Sequence, residues 1–225
     1  MPHKANPTSA TTGPTQNRQR RTKTALPGED MPLLQALART ALVSLTALCL
    51  HATAAPTVNK FEPTAQLGGN ALLLNGKGTR VRLVFKAYDM ALYTTKRVTT
   101  AADLFALPGA KRLQFTSLRE LQGTDLGRLF LRGMSDNTPS AQMTRHTLAT
   151  TRLIEIFSGK PKLMPGDTFA MDFVPGKGTQ FYIQGQAQGE PVGDDEFFTL
   201  VLKIWFGEHP ADEKLRDSLL DGGKD

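Results

Sequence analysis

Residues 66–93 read as β-strand, and this stretch restricts the fold more than any other. Leu72-Leu73-Leu74 runs into Asn75-Gly76-Lys77-Gly78, residue types that a tight hairpin turn selects because Asn and Gly accept positive φ. Thr79 to Tyr93 (TRVRLVFKAYDMALY) then continues extended. With a period of two, Arg80, Arg82, Val84, Lys86 and Tyr88 share one face, and Val81, Leu83, Phe85 and Ala87 share the other. The second face is expected to pack as core. The first is mixed and is expected to border a polar-rimmed surface or cleft.

Downstream the pattern changes to helices and back. Residues 99–107 predict a short helix capped by Thr99 or Thr100 and stopped by Pro108-Gly109. Lys111 to Leu121 reads as a strand. Thr124 to Met134 carries Leu126, Leu129, Phe130 and Met134 at helical spacing. Ala141 to Phe157 predicts a longer amphipathic helix with Leu148, Ile154 and Phe157 buried, ended by Gly159 and Pro161. Thr168–Val174, the Pro175–Gly178 turn and Thr179–Gln186 form an expected hairpin. Asp194 to Phe206 predicts a strongly apolar helix containing Trp205, and Asp212 to Leu220 a short amphipathic one. Strands, helices, a hairpin and helices again describe an α+β domain with an antiparallel sheet and helices on one face.

The N-terminal segment reads differently. Residues 1–30 are rich in Thr, Pro, Asn, Gln and Arg and lack the apolar residues needed to bury a core. Arg39 precedes an apolar run from Thr40 to Leu50, followed by His51 and Ala52-Thr53-Ala54-Ala55-Pro56. A charged flank, a short apolar run and small-x-small describe a secretory signal peptide, with cleavage expected after Ala54. A spanning helix needs about 20 apolar residues, so no stable membrane span is expected in the mature protein. Cys49 raises lipoprotein processing, but Leu48 stands where that processing wants a small residue. Residues 1–54 are thus an expected extension and signal, residues 55–225 the folded domain, and the location secreted or periplasmic.

The formal charge of +6 points to nucleic acid only until it is located. Residues 1–54 hold six basic and two acidic residues, leaving 21 basic against 19 acidic for the folded part. A nucleic-acid-binding domain is itself strongly basic, so no nucleic-acid partner is expected. The single Cys excludes an intramolecular disulfide and Cys-cluster metal sites. His146 and His209 have no ligand-spaced partner and are expected at the surface; no metal and no cofactor is expected. The two Gly-Lys-Gly turns lack the glycine pattern and following helix of a nucleotide loop. Arg80, Arg82 and Tyr88 remain as candidates, since a guanidinium and a phenol beside an apolar cleft can hold a carboxylate. A solvated strand face, with cations blunting the sheet, is the plainer reading of their spacing. Asp172, Asp194 and Asp195 read as solvated or helix-capping.

Several ordered signatures resemble one family. Leu-Asn-Gly-x-Gly-x-Arg (Leu74 to Arg80), Lys-Ala-Tyr-Asp-Met-Ala-Leu-Tyr (Lys86 to Tyr93), Pro165-Gly166-Asp167 and Trp205-Phe-Gly-Glu-His-Pro210 are similar to the chalcone isomerase-like superfamily, and within it to the bacterial secreted branch. The resemblance covers roughly residues 60–221. It implies an open-faced β-sandwich of the chalcone isomerase type, with a ligand cleft between a large antiparallel sheet and a helical layer. Members of that superfamily cyclise chalcones, bind fatty acids, or have no known activity of their own.

By resemblance, Arg80 sits at the family's cleft arginine, which positions a phenolate in the enzymes and pairs with the carboxylate in the fatty-acid binders. Tyr88 falls where the enzymes carry a Thr. Leu126, Gly133 and Ile204 stand at or near positions where the enzymes carry Tyr, Asn and Thr. Ring closure develops enolate charge that preorganised donors must stabilise, at about 2.7–4 kcal/mol for each lost. The expectation is therefore a non-catalytic binder of a fatty acid or similar amphipathic carboxylate. Arg80 is the expected head-group anchor with Tyr88 and Arg82 beside it, and Leu126, Phe130 and Ile204 hold the tail. The alternatives are an intramolecular lyase on an unknown substrate, or a structural or partner-binding domain.

Overall fold

The computed structural model describes residues 61–222; the extension and signal expected over residues 1–54 lie outside them. Seven antiparallel strands form one sheet in the order β1-β2-β3-β4-β7-β8-β9. They are β1 (Thr64–Leu67), β2 (Asn70–Arg82), β3 (Phe85–Thr94), β4 (Lys111–Ser117), β7 (Thr168–Val174), β8 (Gly178–Ile183) and β9 (Gln186–Ala187). A separate ribbon pairs β5 (Leu121–Gln122) with β6 (Lys162–Leu163). The helices are α1 (Ala101–Ala106), α2 (Gly123–Ser135), α3 (Ser140–Arg145), α4 (Thr147–Ser158), α5 (Asp195–Phe206) and α6 (Glu213–Leu219).

Two helices start at expected caps, Thr100 and Asp194, and Asp212 caps a third. Thr100 Oγ1 accepts from Asp103 N (3.0 Å), Asp194 Oδ1 from Phe197 N (2.8 Å) and Asp212 Oδ1 from Leu215 N (3.0 Å). The main core lies between one sheet face and the helices. Met90, Leu92, Leu113, Phe115, Phe169 and Met171 point into it from the strands. α5 is buried nearly all round, including Phe197, Leu200, Val201 and Trp205, as a helix apolar on every side must be. A smaller cluster on the outer sheet face joins Phe61, Leu72, Ala91, Tyr93 and Ala110.

The turn expected at Asn75–Gly78 does not form. β2 runs straight through it, and the chain reverses instead at Leu83-Val84. Asn75 is an extra residue between the Leu74–Tyr93 and Gly76–Leu92 pairs, so it sits in a β-bulge. Its buried amide donates to Val98 O (3.0 Å) and Leu219 O (2.8 Å) and accepts from Val98 N (2.7 Å). These tertiary bonds satisfy the side chain that a turn would have used locally. Gly76 and Gly78 leave room for α6: a Cβ on Gly76 would run into the carbonyl oxygens of Ser218 and Leu219. The bulge also reverses the strand's phase. Leu72 and Leu74 meet the outer cluster, whereas Gly76 and Gly78 face α6. Gly76→Ala is expected to lower stability by about 1–3 kcal/mol, because α6 must back away from the sheet. Urea denaturation measures this, and an unchanged midpoint would refute that docking role.

Four further expectations are corrected. Val81, Leu83 and Phe85 are not core: they surround the β2–β3 turn and are exposed. The helix expected over 141–157 breaks at His146 (φ −107°, ψ 22°) into α3 and α4, leaving Leu148 exposed. His146 is itself buried rather than at the surface, with Nε2 at 3.2 Å from Glu196 Oε2. Asp172 is also buried. It takes a bidentate pair from Arg112, its neighbour across the β4–β7 ladder, with both N–O distances 2.6 Å.

Candidate functional site

The Asn75–Gly78 segment positions the site. Past the bulge, the inner-face positions of β2 are Gly76 and Gly78, which admit α6, and then Arg80 and Arg82, which lie beyond it. β3 returns with Phe85 opposite Arg82 and Tyr88 opposite Arg80. A second bulge makes Ala87 the extra residue between these pairs. Phe85 and Tyr88 differ by an odd number of residues, so only the bulge lets both face the cleft. Arg80 and Tyr88 thus meet across a hairpin, not along one strand as the alternation implied.

Tyr88 is 1% exposed and wedged edge-on against Phe115, 5.5 Å between ring centroids. Its hydroxyl accepts from Trp205 Nε1 at 2.9 Å and, at a long 3.5 Å, from Arg80 Nη1. Burial pushes the phenol's pKa up, and the Arg80 guanidinium pulls it partly back. The phenol is therefore neutral at physiological pH. Both oxygen lone pairs are engaged, while its own proton meets no acceptor among the described residues. Ser117, across from Tyr88 on β4, likewise has a buried hydroxyl without a hydrogen-bond partner there.

Outside Tyr88 opens a cleft of about 420 Å³ between the β2–β3 hairpin and α2. Phe85, Ala87, Leu121, Leu126 and Leu129 give it an apolar wall. Arg80 and Arg82 line it from β2, and Arg119 from the segment after β4. Among the described residues none of these three arginines forms an ion pair. The cleft's two acids are already engaged: Glu120 by Lys162 (3.0 Å) and Gln122 (2.8 Å), Asp125 by Arg128 (3.5 Å). Such a site attracts an anion carrying an apolar group.

Of the residues singled out from sequence, Arg80, Arg82, Tyr88 and Leu126 line this cleft. Phe130 and Ile204 do not; both are buried in the core behind it, 1% and 2% exposed. Ile204 packs where a Cβ on Gly133 would intrude. Arg119, Phe85 and the Trp205 hydrogen bond were not foreseen. A signal for Arg119 existed, since Arg119-Glu120 interrupts an otherwise alternating strand just past Ser117. No group of three or more potential metal ligands occurs among the described residues.

A seven-stranded antiparallel sheet covered on one face by helices, with a cleft between hairpin and helix, is the open-faced β-sandwich of the chalcone isomerase type. The family model described as chalcone isomerase-like matches residues 56–221, and the chain belongs to that family. Among solved structures it is similar to a fatty-acid binding protein of Arabidopsis thaliana, with a TM-score of 0.55 and 15% identity over 72% of this chain and 91% of that one. No curated protein matches the sequence.

Proposed function

We propose that this protein binds a fatty acid or similar amphipathic carboxylate without transforming it. The observation that carries the reading is three guanidinium groups, free of carboxylate partners among the described residues, around an apolar-walled cleft. The carboxylate would lie against Arg80 with the Tyr88 O–H as a second donor, and Arg82 or Arg119 would complete its charge balance. The chain would run along Leu121, Leu126 and Leu129, each buried methylene adding about 0.8 kcal/mol. The cleft volume falls within the ~300–1,000 Å³ of small-molecule sites. The solved fatty-acid binding protein of the same fold supports this reading.

The chemistry of the wall supports a carrier over a cyclase. Leu126, the one of the three positions resembling the enzymes' polar residues that lines the cleft, offers only hydrocarbon where enolate charge would need a donor, and Gly133 and Ile204 pack against each other with no polar side chain to supply one. Export is part of the proposal and rests on the Arg39 to Pro56 pattern. Native mass spectrometry of the gently purified full chain tests binding. A copurifying acyl species is expected. A clean apo mass that takes up no added long-chain fatty acid overturns the reading, as does turnover of a 2′-hydroxychalcone above its spontaneous rate.

A further inference from the structure

We infer that the β2–β3 tip is a docking element for anionic phospholipid bilayers. Of the large apolar side chains exposed among the described residues, four gather within five positions there: Val81 (43% exposed), Leu83 (89%), Val84 (83%) and Phe85 (57%). Leu83 is also held at φ +57°, a conformation that Gly or Asn adopts far more readily. A solvated leucine in left-handed backbone is unfavourable twice over for the isolated protein, and burial in an apolar phase relieves the larger part. Exposed apolar clusters of this kind, rimmed by polar residues, mark interaction surfaces.

Charge decides which surface. Arg80, Arg82, Lys86 and Arg119 belong to the tip or its immediate flank, and none of them forms an ion pair among the described residues. Of the nearby carboxylates, Glu120 is engaged by Lys162 and Asp125 by Arg128, while Asp212 sets one negative charge at the base of the tip, accepting from the backbone N–H groups of Val81 (3.0 Å) and Leu215 (3.0 Å), against four cations. Cations flanking an apolar tip complement anionic headgroups above hydrocarbon, the long side chains extending to the phosphates while Leu83 and Val84 insert. The reversal takes only two residues, so the tip is a narrow projection suited to entering between headgroups. Phe85 belongs both to the tip and to the cleft wall, with the Arg119 guanidinium 5.2 Å from its ring centroid. Docking therefore sets the cleft mouth at the lipid surface. The inference shares Arg80, Arg82 and Arg119 with the cleft but does not require the cleft to bind an acid.

The test is partitioning of the full chain onto phosphatidylcholine vesicles with and without phosphatidylglycerol. Every variant keeps the same N-terminal apolar run, so differences between variants report the tip. The parent is expected to prefer anionic vesicles and to be released by salt. The double variant Leu83→Ser/Val84→Ser is expected to bind them about ten-fold more weakly. Lys86→Ala is expected to bind about five-fold more weakly, with no change on uncharged vesicles. In a Cys49→Ser background, a fluorophore on Val84→Cys is expected to be quenched by brominated acyl chains, and one on Lys177→Cys, in the β7–β8 turn, is not. Equal binding by the Leu83/Val84 variant, or an unquenched label at position 84, overturns the inference. So does tip-dependent self-association without vesicles, which would assign the surface to a second copy of the chain. Fatty-acid uptake by the Leu83/Val84 variant in vesicle-free buffer is expected to be unchanged, so failure of this inference and failure of the binding proposal are seen separately.

Discussion

Arg80→Ala is expected to weaken retention of a long-chain fatty acid by about 10- to 150-fold. That range corresponds to the ~1.5–3 kcal/mol of a hydrogen bond to a charged group. Arg80 stands between the Tyr88 hydroxyl and the open cleft, and it forms no ion pair among the described residues. Arg82 and Arg119 remain in the variant, so affinity should fall without vanishing. Arg80→Lys should recover part of it, because the charge persists while the forked geometry is lost. Isothermal titration with palmitate measures both, and unfolding curves should barely move because Arg80 is only partly buried. Unchanged affinity in Arg80→Ala would remove the head-group anchor from the proposal. Tyr88→Phe removes both of the phenol's tasks at once, the free O–H donor and the acceptor of the Trp205 indole N–H.

The largest effect on stability is expected far from the cleft. Arg112→Ala should lower unfolding free energy by about 3–5 kcal/mol, because it strands the buried Asp172 carboxylate. The bidentate bond to Asp172 drives the pKa of Arg112 upward, against the opposing effect of burial. Replacing both partners, as in Arg112→Met/Asp172→Leu, should be close to neutral, since the desolvation penalty disappears with the pair. Urea denaturation of both variants decides this. A single variant as stable as the double one would mean that the pair does not hold β4 to β7.

Short-range grammar was readable wherever a residue's partners lie nearby in sequence. Thr100 and Asp194 cap their helices through N–H groups three residues ahead, and the Pro175–Gly178 turn joins strands that pair at once. Prediction failed where a distant element supplied the partner. Asn75-Gly76 has the composition of a turn, but Val98 and Leu219 capture the asparagine and α6 occupies the space beside the glycine. His146 carries no helix-breaking signal of its own, yet it lies buried beside Glu196 at the break between α3 and α4. Asp172 reads as an ordinary surface acid until β4 brings Arg112 against it.

The cleft divides the same way. Composition and alternation put forward Arg80, Arg82 and Tyr88 as cations and a phenol on mixed-character backbone, because a strand's period of two is a local property, and the family resemblance preferred a site there over a solvated face. Phe130 and Ile204 withdraw into the core with the packing of α2 and α5. That Arg80 faces Tyr88 across a hairpin and that Phe85 turns toward the cleft depended on two bulges and a reversal point. Each of these shifts strand phase by one residue, and a one-residue shift moves a side chain to the opposite face of a sheet. The first bulge is tied to where α6 and the β3–α1 connection dock, through one contact between residues more than a hundred positions apart. Local patterning therefore put forward Arg80, Arg82 and Tyr88, and long-range packing decided that they stand in the cleft with Arg119 and Phe85 beside them.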